Sequence, residues 1–301
     1  MKRRNFILSG LGITGALVVG WGVLPARSRL GKPDNMLLTE GDVALNGWIK
    51  IAKDGNVVLA MHRSDMGQGI HNALSMLVAE ELDVPLSKIR LEQAGHDSIY
   101  GNVAMFVGTL PFHPLQSEGV DKPFVVKSGE WIVGKVAREL GVNATGGSSS
   151  VKDAWEHLRT AAATAKASLL MAAADQWKVP LQELKVTEGV VSHASGKSAH
   201  FGELAKGAAG QTPKNVALKD RKDWVLIGKP ATRADVPAKT NGTAVFGMDV
   251  RLPNMLFASV VQAPQMGGTL SSFDAKDALA MPGVVKCVQL NSANGSAPGF
   301  A

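Results

Sequence analysis

The sequence predicts an α+β chain built on two helix–strand units, followed by a strand-rich C-terminal portion. Three observations carry this. Apolar residues recur at helical spacing at Ile70, Leu74, Leu77, Val78 and Leu82, and again at Val151, Ala154, Trp155, Leu158, Ala162, Ala165, Leu169 and Ala173. Each stripe runs into Val-Pro-Leu and a β-prone segment, so that residues 82–91 are echoed by residues 177–186 at an offset of 95. Two extended runs flank Asp54-Gly55, a strong hairpin dipeptide.

Taken in order, residues 1–33 read as an export leader or anchor. Lys2, Arg3 and Arg4 precede an apolar run from Phe6 to Leu24, and the adjacent arginines resemble a twin-arginine signal, which implies a periplasmic protein. A buried N-terminal helix is the alternative, weakened by the four glycines between Gly10 and Gly20. No small-x-small site stands near Pro25-Ala26, and the run is barely long enough for a bilayer. A cleaved leader and a membrane anchor at residues 6–24 both stay open. The leader also explains the formal charge of +6: its six basic residues leave 26 basic against 26 acidic in the remainder. A balanced body lacks the basic surface that nucleic-acid binding needs.

In the body, Val43 to Ile51 and Val57 to Met61 read as strands, residues 70–82 as a helix, and Ile89 with Leu91 as a further strand. No period dominates between Tyr100 and Gly147, where Thr109 to Pro114 reads as a long packed loop. A second helix of roughly 25 residues begins near Ser150, with Asp153 three positions later as a capping-box partner. Residues 207–242, rich in Gly, Pro, Lys and Asp, read as a linker between domains. Beyond it, Ala244 to Val250, Met255 to Gln262 and Val284 to Leu290 read as strands and Asp274 to Ala280 as a short helix, with no closing element in the last ten residues.

Two motifs could carry chemistry. Met66-Gly67-Gln68-Gly69 opens the first helix, where free N–H groups favour an anion and absent Cβ atoms let a ligand approach; alone, it reads more readily as an ordinary tight turn. Thr145-Gly146-Gly147-Ser148-Ser149-Ser150 opens the second, and the two helix ends together could hold a diphosphate. His62, His71, His96 and His113 lack the helical spacing of metal ligands and read as surface or hydrogen-bonded residues. Cys287 reads as a small buried hydrophobe in an apolar strand. A single cysteine excludes disulfides within the chain, a Cys-rich zinc site and an iron–sulfur cluster held by this chain alone. There is no G-x-S-x-G elbow.

Residues 61–71 (MHRSDMGQGIH), running on through 78–84 (VAEELDV), resemble the EMGQG segment of the molybdenum-binding large subunits of the xanthine oxidase and aldehyde oxidoreductase family, in particular the isoquinoline 1-oxidoreductase beta-subunit type. Residues 143–155 (NATGGSSSVKDAW), 227–230 (IGKP) and 246–253 (FGMDVRLP) match the same family, and the resemblance covers about residues 42–289. It implies a molybdenum-bearing molybdopterin cytosine dinucleotide, with Gly67, Gln68 and Gly69 near the pterin and its phosphates, and Thr145, Gly146, Gly147, Ser148 and Ser149 near the dinucleotide. Asp65 stands where the family often has Glu. The implied reaction is oxidation of an aldehyde or N-heterocycle with oxygen from water. Electrons would leave through a partner subunit holding two [2Fe-2S] clusters and then to a membrane cytochrome.

On this resemblance residues 34–206 form part of a pterin-binding domain of two helix–strand units, and residues 243–301 an incomplete α/β hammerhead-like domain. The family's general base lies in a C-terminal region that these residues do not match, so no catalytic residue and no metal ligand is assigned here. The chain alone is expected to be inactive. A non-catalytic exported module that binds a cofactor or a partner is the alternative.

Overall fold

The computed structural model describes residues 28–301 except 120, 266 and 293–296. Most of the expected leader, residues 1–27, therefore lies outside the described residues. No described helix is long and apolar enough to cross a membrane. The chain divides into two compact units, one ending at Val236 and one running from Pro237 to Ala301.

In the first unit, β1 (Val43–Ala44), β2 (Ile49–Ile51), β3 (Val57–Met61) and β4 (Ile89–Gln93) form one sheet in that order. β2 and β3 make the expected hairpin, with Ile49 opposite Leu59. It closes at Gly55, whose φ of +84° excludes most side chains. β3 crosses through α1 (Ile70–Leu82) into β4, which lies parallel to it with Val57 opposite Ile89. Every residue of β3 is buried, as an apolar strand covered on both faces should be. The single strand expected from Val43 to Ile51 is broken instead. Asn46 Oδ1 accepts from the Trp48 and Ile49 amides (2.9 and 3.0 Å), folding the chain back so that Val43 pairs with Ile51.

The stretch without a period holds three helices that the sequence reading missed: α2 (Val103–Val107), α3 (Pro114–Ser117) and α4 (Phe124–Leu140). Only residues 109–113 form the expected loop. α4 is disguised by Gly129 and Gly134 and by apolar residues it leaves exposed, among them Phe124 and Trp131. Gly129 does not break the helix; a Cβ there would lie 3.0 Å from the Phe112 ring, so the glycine admits Phe112.

α5 (Ser150–Trp177) buries Ala154, Leu158, Ala161, Ala162, Ala165 and Leu169, and this small-residue face lets it pack closely along α1. The expected capping box does not form. Ser149 is the N-cap, without a side-chain cap bond, and Asp153 turns inward to two arginines.

α1 and α5 both end on a left-handed residue, Asp83 (φ 52°) and Lys178 (φ 57°), followed by Val-Pro and one 3-10 turn, at Leu86–Lys88 and Leu181–Glu183. The residue before proline disfavours helix, which explains the shared stop. The strands then part company. β5 (Lys185–Thr187), β6 (Val190–Ser192) and β7 (Ser198–His200) form a separate antiparallel sheet, and α6 (Phe201–Ala208) follows and packs on α5. The two helix–strand units therefore share a helix interface and no sheet.

Residues 207–242 contain the end of α6 and α7 (Val236–Thr240), and their middle is docked on α1. The buried Glu80 accepts from Lys219 Nζ (2.7 Å) and from the amides of Val225 (3.0 Å), Leu226 (2.7 Å) and Ile227 (3.0 Å). Next to it, Glu81 accepts from Arg159 Nε (2.7 Å) and the Lys219 amide (3.0 Å). Burial pushes the Glu80 carboxyl up, but Lys219 and the three amides outweigh it and hold the group below its usual value.

In the second unit the expected strands shrink to β8 (Val261–Gln262) and β9 (Gln289–Leu290), and α8 spans Lys276–Leu279. Residues 247–249 form a 3-10 turn where a strand was expected. A closing element is present after all: β10 (Gly299–Phe300) is the middle strand, pairing with both β8 and β9. Cys287 is half-buried and lies outside any strand. Val261, Gln262 and Gln289 are exposed within these strands, so side-chain burial adds little to sheet formation here.

Inside the first unit, Trp48 meets His62 edge-on, with ring centres 4.8 Å apart, and His157 lies 5.0 Å from it. His62 is neither a surface residue nor a hydrogen-bonded one, contrary to its sequence reading: it is buried and both ring nitrogens lack a partner. Burial, then the charges of Arg63, His157 and Arg29, hold its pKa well below the usual value. Burial and Arg29, Arg63 and Arg138 push His157 down to about 3 against the opposing pull of Asp153.

Glu80→Ala should leave Lys219 and three amides without their acceptor and cost about 3–5 kcal/mol, measured by urea unfolding near neutral pH. An unchanged midpoint would show that the docked segment adds nothing. Both His62 and His157 fold neutral, whereas the unfolded chain binds their protons near pH ~6.5. Stability on their account is therefore full above that pH and is lost as the pH falls below it, for His157 towards about 3. His157→Gln should make the acid loss of stability shallower, and equal slopes in parent and variant would refute this assignment.

Candidate functional site

β3 delivers the chain to a loop at residues 64–69 that ends on α1. Gly67 (φ +100°) and Gly69 (φ +82°) hold the left-handed conformations this turn requires. Asp65 sits inside it, its carboxylate accepting from the amides of Gly67 (2.8 Å), Gly69 (3.4 Å) and His71 (3.2 Å). Partial burial raises the Asp65 pKa, but these amides outweigh it and the net shift is downward. The N-terminus of α1 already faces a carboxylate. Gln68 also closes on its own loop, Oε1 accepting from the Met66 amide and Nε2 donating to the Ser64 carbonyl (2.9 Å). Of the groups expected to face an anion, the Gly67 and Gly69 amides and the Gln68 amide are thus engaged within the turn.

The second loop is joined to the first by one bond, from the Ser64 amide to Thr145 Oγ1 (2.9 Å). Gly147 (φ 59°) and Ser148 (φ 51°) are both left-handed, and the chain then enters α5. Ser149 is buried; its hydroxyl donates to the Gly146 carbonyl (2.7 Å) and accepts from Asn102 Nδ2 (2.8 Å). It holds the loop and does not face the cavity. The N-cap Ser149 makes no side-chain cap bond, so among the described residues the positive end of a 28-residue helix opens beside Gly146, Gly147 and Ser148.

Between the loops lies a cavity of about 450 Å³ lined by Met66, Gln68, Ile70, Ala73, residues 145–148, Ser150 and Val151. The structure thus brings Gln68 together with Thr145, Gly146, Gly147 and Ser148. Gly67, Gly69 and Ser149 shape the walls without lining them. A Cβ on Gly67 would project into open space, and one on Gly146 or Gly147 would meet only Met105, at 3.9 Å.

One turn into α5 stands a bridge that sequence reasoning missed. Asp153 of α5 accepts from Arg29 Nη1 and Nη2 (3.1 and 2.9 Å), Arg63 Nη2 (2.9 Å) and the Ala104 amide (3.1 Å). Arg63 also donates to the Tyr100 carbonyl (2.9 Å) and Asn143 Oδ1 (2.6 Å). Burial lowers the Arg63 pKa to about 10 against the opposing pull of Asp153. The available signal was that Asp153 and His157, one helical turn apart, lie beside the apolar stripe of α5.

His62, Asp153 and His157 place three potential ligand atoms within 4.8 Å of one another. The Asp153 oxygens, however, are taken by four donors, and two guanidinium groups adjoin them, which opposes a metal cation there. His71 Nε2 is 3.0 Å from the Arg63 carbonyl, and His96 and His113 are exposed.

The molybdopterin cofactor-binding domain family matches residues 12–104. The chain is 31% identical to the beta subunit of isoquinoline 1-oxidoreductase from Brevundimonas diminuta, over 94% of this chain and 36% of that protein. It is 27% identical to a nicotinate dehydrogenase subunit from Pseudomonas putida, over 91% and 20%. Identity to the membrane-bound aldehyde dehydrogenase (pyrroloquinoline-quinone) of Gluconacetobacter polyoxogenes is 28%, over 95% and 32%. Among solved structures, CO dehydrogenase from Oligotropha carboxidovorans matches with a TM-score of 0.32 at 20% identity, over 59% of this chain and 17% of that one. The chain spans about a third or less of the length of these relatives. With this domain match, and with similarity to oxidoreductase subunits along nearly all its length, the chain belongs to the molybdenum-binding large subunits of the xanthine oxidase family, of the isoquinoline 1-oxidoreductase beta-subunit type.

Proposed function

We propose that the cavity between residues 64–69 and 145–151 holds part of a molybdopterin cytosine dinucleotide in a molybdenum hydroxylase. The observation that carries this reading is the shared cavity itself, whose two walls are tied by the Ser64–Thr145 bond. The residues fit an elongated anionic group. Open space faces Gly67, small residues line the second loop, and one of the two helix ends has neither a side-chain cap nor a carboxylate such as Asp65.

On this reading the two walls have different tasks. The α5 end, with Gly146, Gly147, Ser148 and the Thr145 and Ser150 hydroxyls, attracts phosphate oxygens through amides, hydroxyls and the helix dipole. The Gly67–Gly69 turn, closed by Asp65 and Gln68, is a rigid wall against which the pterin lies. Arg63 and Asp153 do not line the cavity; their bridge fixes the chain just before Ser64 to the first turn of α5. When bound, the molybdenum cofactor supplies oxygen transfer from water and accepts two electrons. No residue of this chain is assigned as the base, and the chain measured alone should show no turnover.

The same reading makes the whole protein an oxidoreductase acting on an N-heterocycle or an aldehyde, the classes in the names of its relatives. Electrons would pass to a small [2Fe-2S] subunit and on to a membrane cytochrome; the one cysteine among these 301 residues cannot itself ligate such a cluster. The second unit would belong to a hammerhead-like domain. Residues 1–33 would direct export of the folded protein to the periplasm, cleaved or retained as an anchor.

In the full-length protein, Gly67→Val should force a branched residue into a left-handed turn at the cavity, and Gln68→Ala should remove both bonds that close it. Each should lower molybdenum and cytosine nucleotide per folded protein several-fold, read by mass spectrometry. Parent-level contents in both variants, or a bound quinone in place of metal and nucleotide, would overturn the cofactor reading. For export, Arg3→Lys with Arg4→Lys should keep a fused folded reporter in the cytoplasm; undiminished export would remove the twin-arginine assignment.

A further inference from the structure

The docked segment that Glu80 holds continues past Ile227 through Gly228 (φ +80°) and returns to the opposite end of α1. There Arg233 Nη1 donates to the Gly67 carbonyl (2.8 Å), while its Nε and Nη2 are held by Asp235 (3.0 and 2.7 Å). Nη2 also lies 3.7 Å from Asp65 Oδ1. The space beside Gly69 is occupied by the same guanidinium, 3.6–3.9 Å from where a Cβ would stand. Arg233 therefore touches the glycine turn at three places from a segment about 165 residues away in sequence, and it does not line the cavity.

We propose that Arg233 is a positioning residue for the glycine turn. Asp65 and Gln68 close the turn from within, but the Gly67 carbonyl is held from outside it, at a residue that populates both signs of φ and has no side chain to pack. Its peptide groups are held from two sides: Asp65 takes the Gly67 amide, and Arg233 takes the Gly67 carbonyl while its charge opposes that of Asp65. Asp235 aims the guanidinium by holding its other edge in the two-pronged geometry that lysine cannot reproduce. Segment 219–235 thus clamps α1 at both ends, through Glu80 at one and Arg233 at the other. Insofar as the cavity holds the molybdenum cofactor, which rests on the reading above, cofactor retention depends on Arg233 without contact between them.

The test uses the full-length protein with Arg233→Gln, Arg233→Lys and Asp235→Asn. Hydrogen exchange is followed on a peptide spanning residues 64–71, and molybdenum loss is timed after rapid gel filtration. A hydrogen bond to a charged group is worth enough that Arg233→Gln should speed exchange in that peptide by roughly tenfold and accelerate metal loss. Arg233→Lys should recover part of both effects, and Asp235→Asn should show a smaller change. If Arg233 only anchors its own segment, exchange rises at residues 228–235 while residues 64–71 and metal retention stay at parent level, and the proposal falls. If the parent protein holds no molybdenum, the cofactor reading fails by itself, and the exchange result still decides whether Arg233 holds the turn.

Discussion

Asp153 is the group on which the first unit turns. One buried carboxylate on α5 accepts from Arg29, from Arg63 just past β3 and from the amide of Ala104, and so joins residue 29, the exit of the sheet, α2 and the longest helix. A carboxylate this deep is tolerable only because its oxygens are matched by donors, two of them charged. Its neighbours inherit the consequences. Arg63 is fixed where it can also hold Tyr100 and Asn143, and His62 and His157 are left neutral beside two guanidinium groups. Because Arg63 immediately precedes Ser64, the same bridge fixes where the glycine turn begins.

A second constraint works along α1. Glu80 and Glu81 sit on its buried side near the C-terminal end, and together they gather a basic side chain and several backbone amides from residues 219–227. Three consecutive amides at 225–227 turned towards one carboxylate form an anion nest filled by the protein itself. The glycine turn at the other end is likewise filled by Asp65. The α5 end differs, since its own carboxylate, Asp153, is committed to the arginines. This asymmetry gives the cavity one wall that is complete and one that can still accept a negative charge.

Much of this was legible along the chain. The stripes of α1 and α5, the hairpin at Asp54-Gly55, and the paired Val-Pro-Leu stops all follow from local spacing and proline sterics, and they appear where expected. The two Gly-rich loops were recognisable as partners, and the structure places Gln68 and residues 145–148 around one cavity. α4 escaped notice because Gly129 and Gly134 look like breaks until Phe112 is seen against the first of them. The docking of residues 219–227 on α1 escaped notice for a similar reason, since nothing local in them says that a glutamate from residue 80 will collect their amides.

By itself, then, the sequence determined the elements governed by short-range chemistry: helix periods, turn glycines, the single cysteine that excludes a cluster on this chain, and the motifs that mark its family. Tertiary structure alone decided which polar groups meet. Asp153 could have capped its own helix and instead bridges Arg29 and Arg63; the glycine turn could have offered its amides outward and instead closes on Asp65, with Arg233 behind it. The physical reason is that a hydrogen bond or ion pair across scores of residues leaves no period in the chain. Its partners are selected only when packing of α1 on α5 brings them into a low-dielectric interior, where an unmatched charge is too costly to keep.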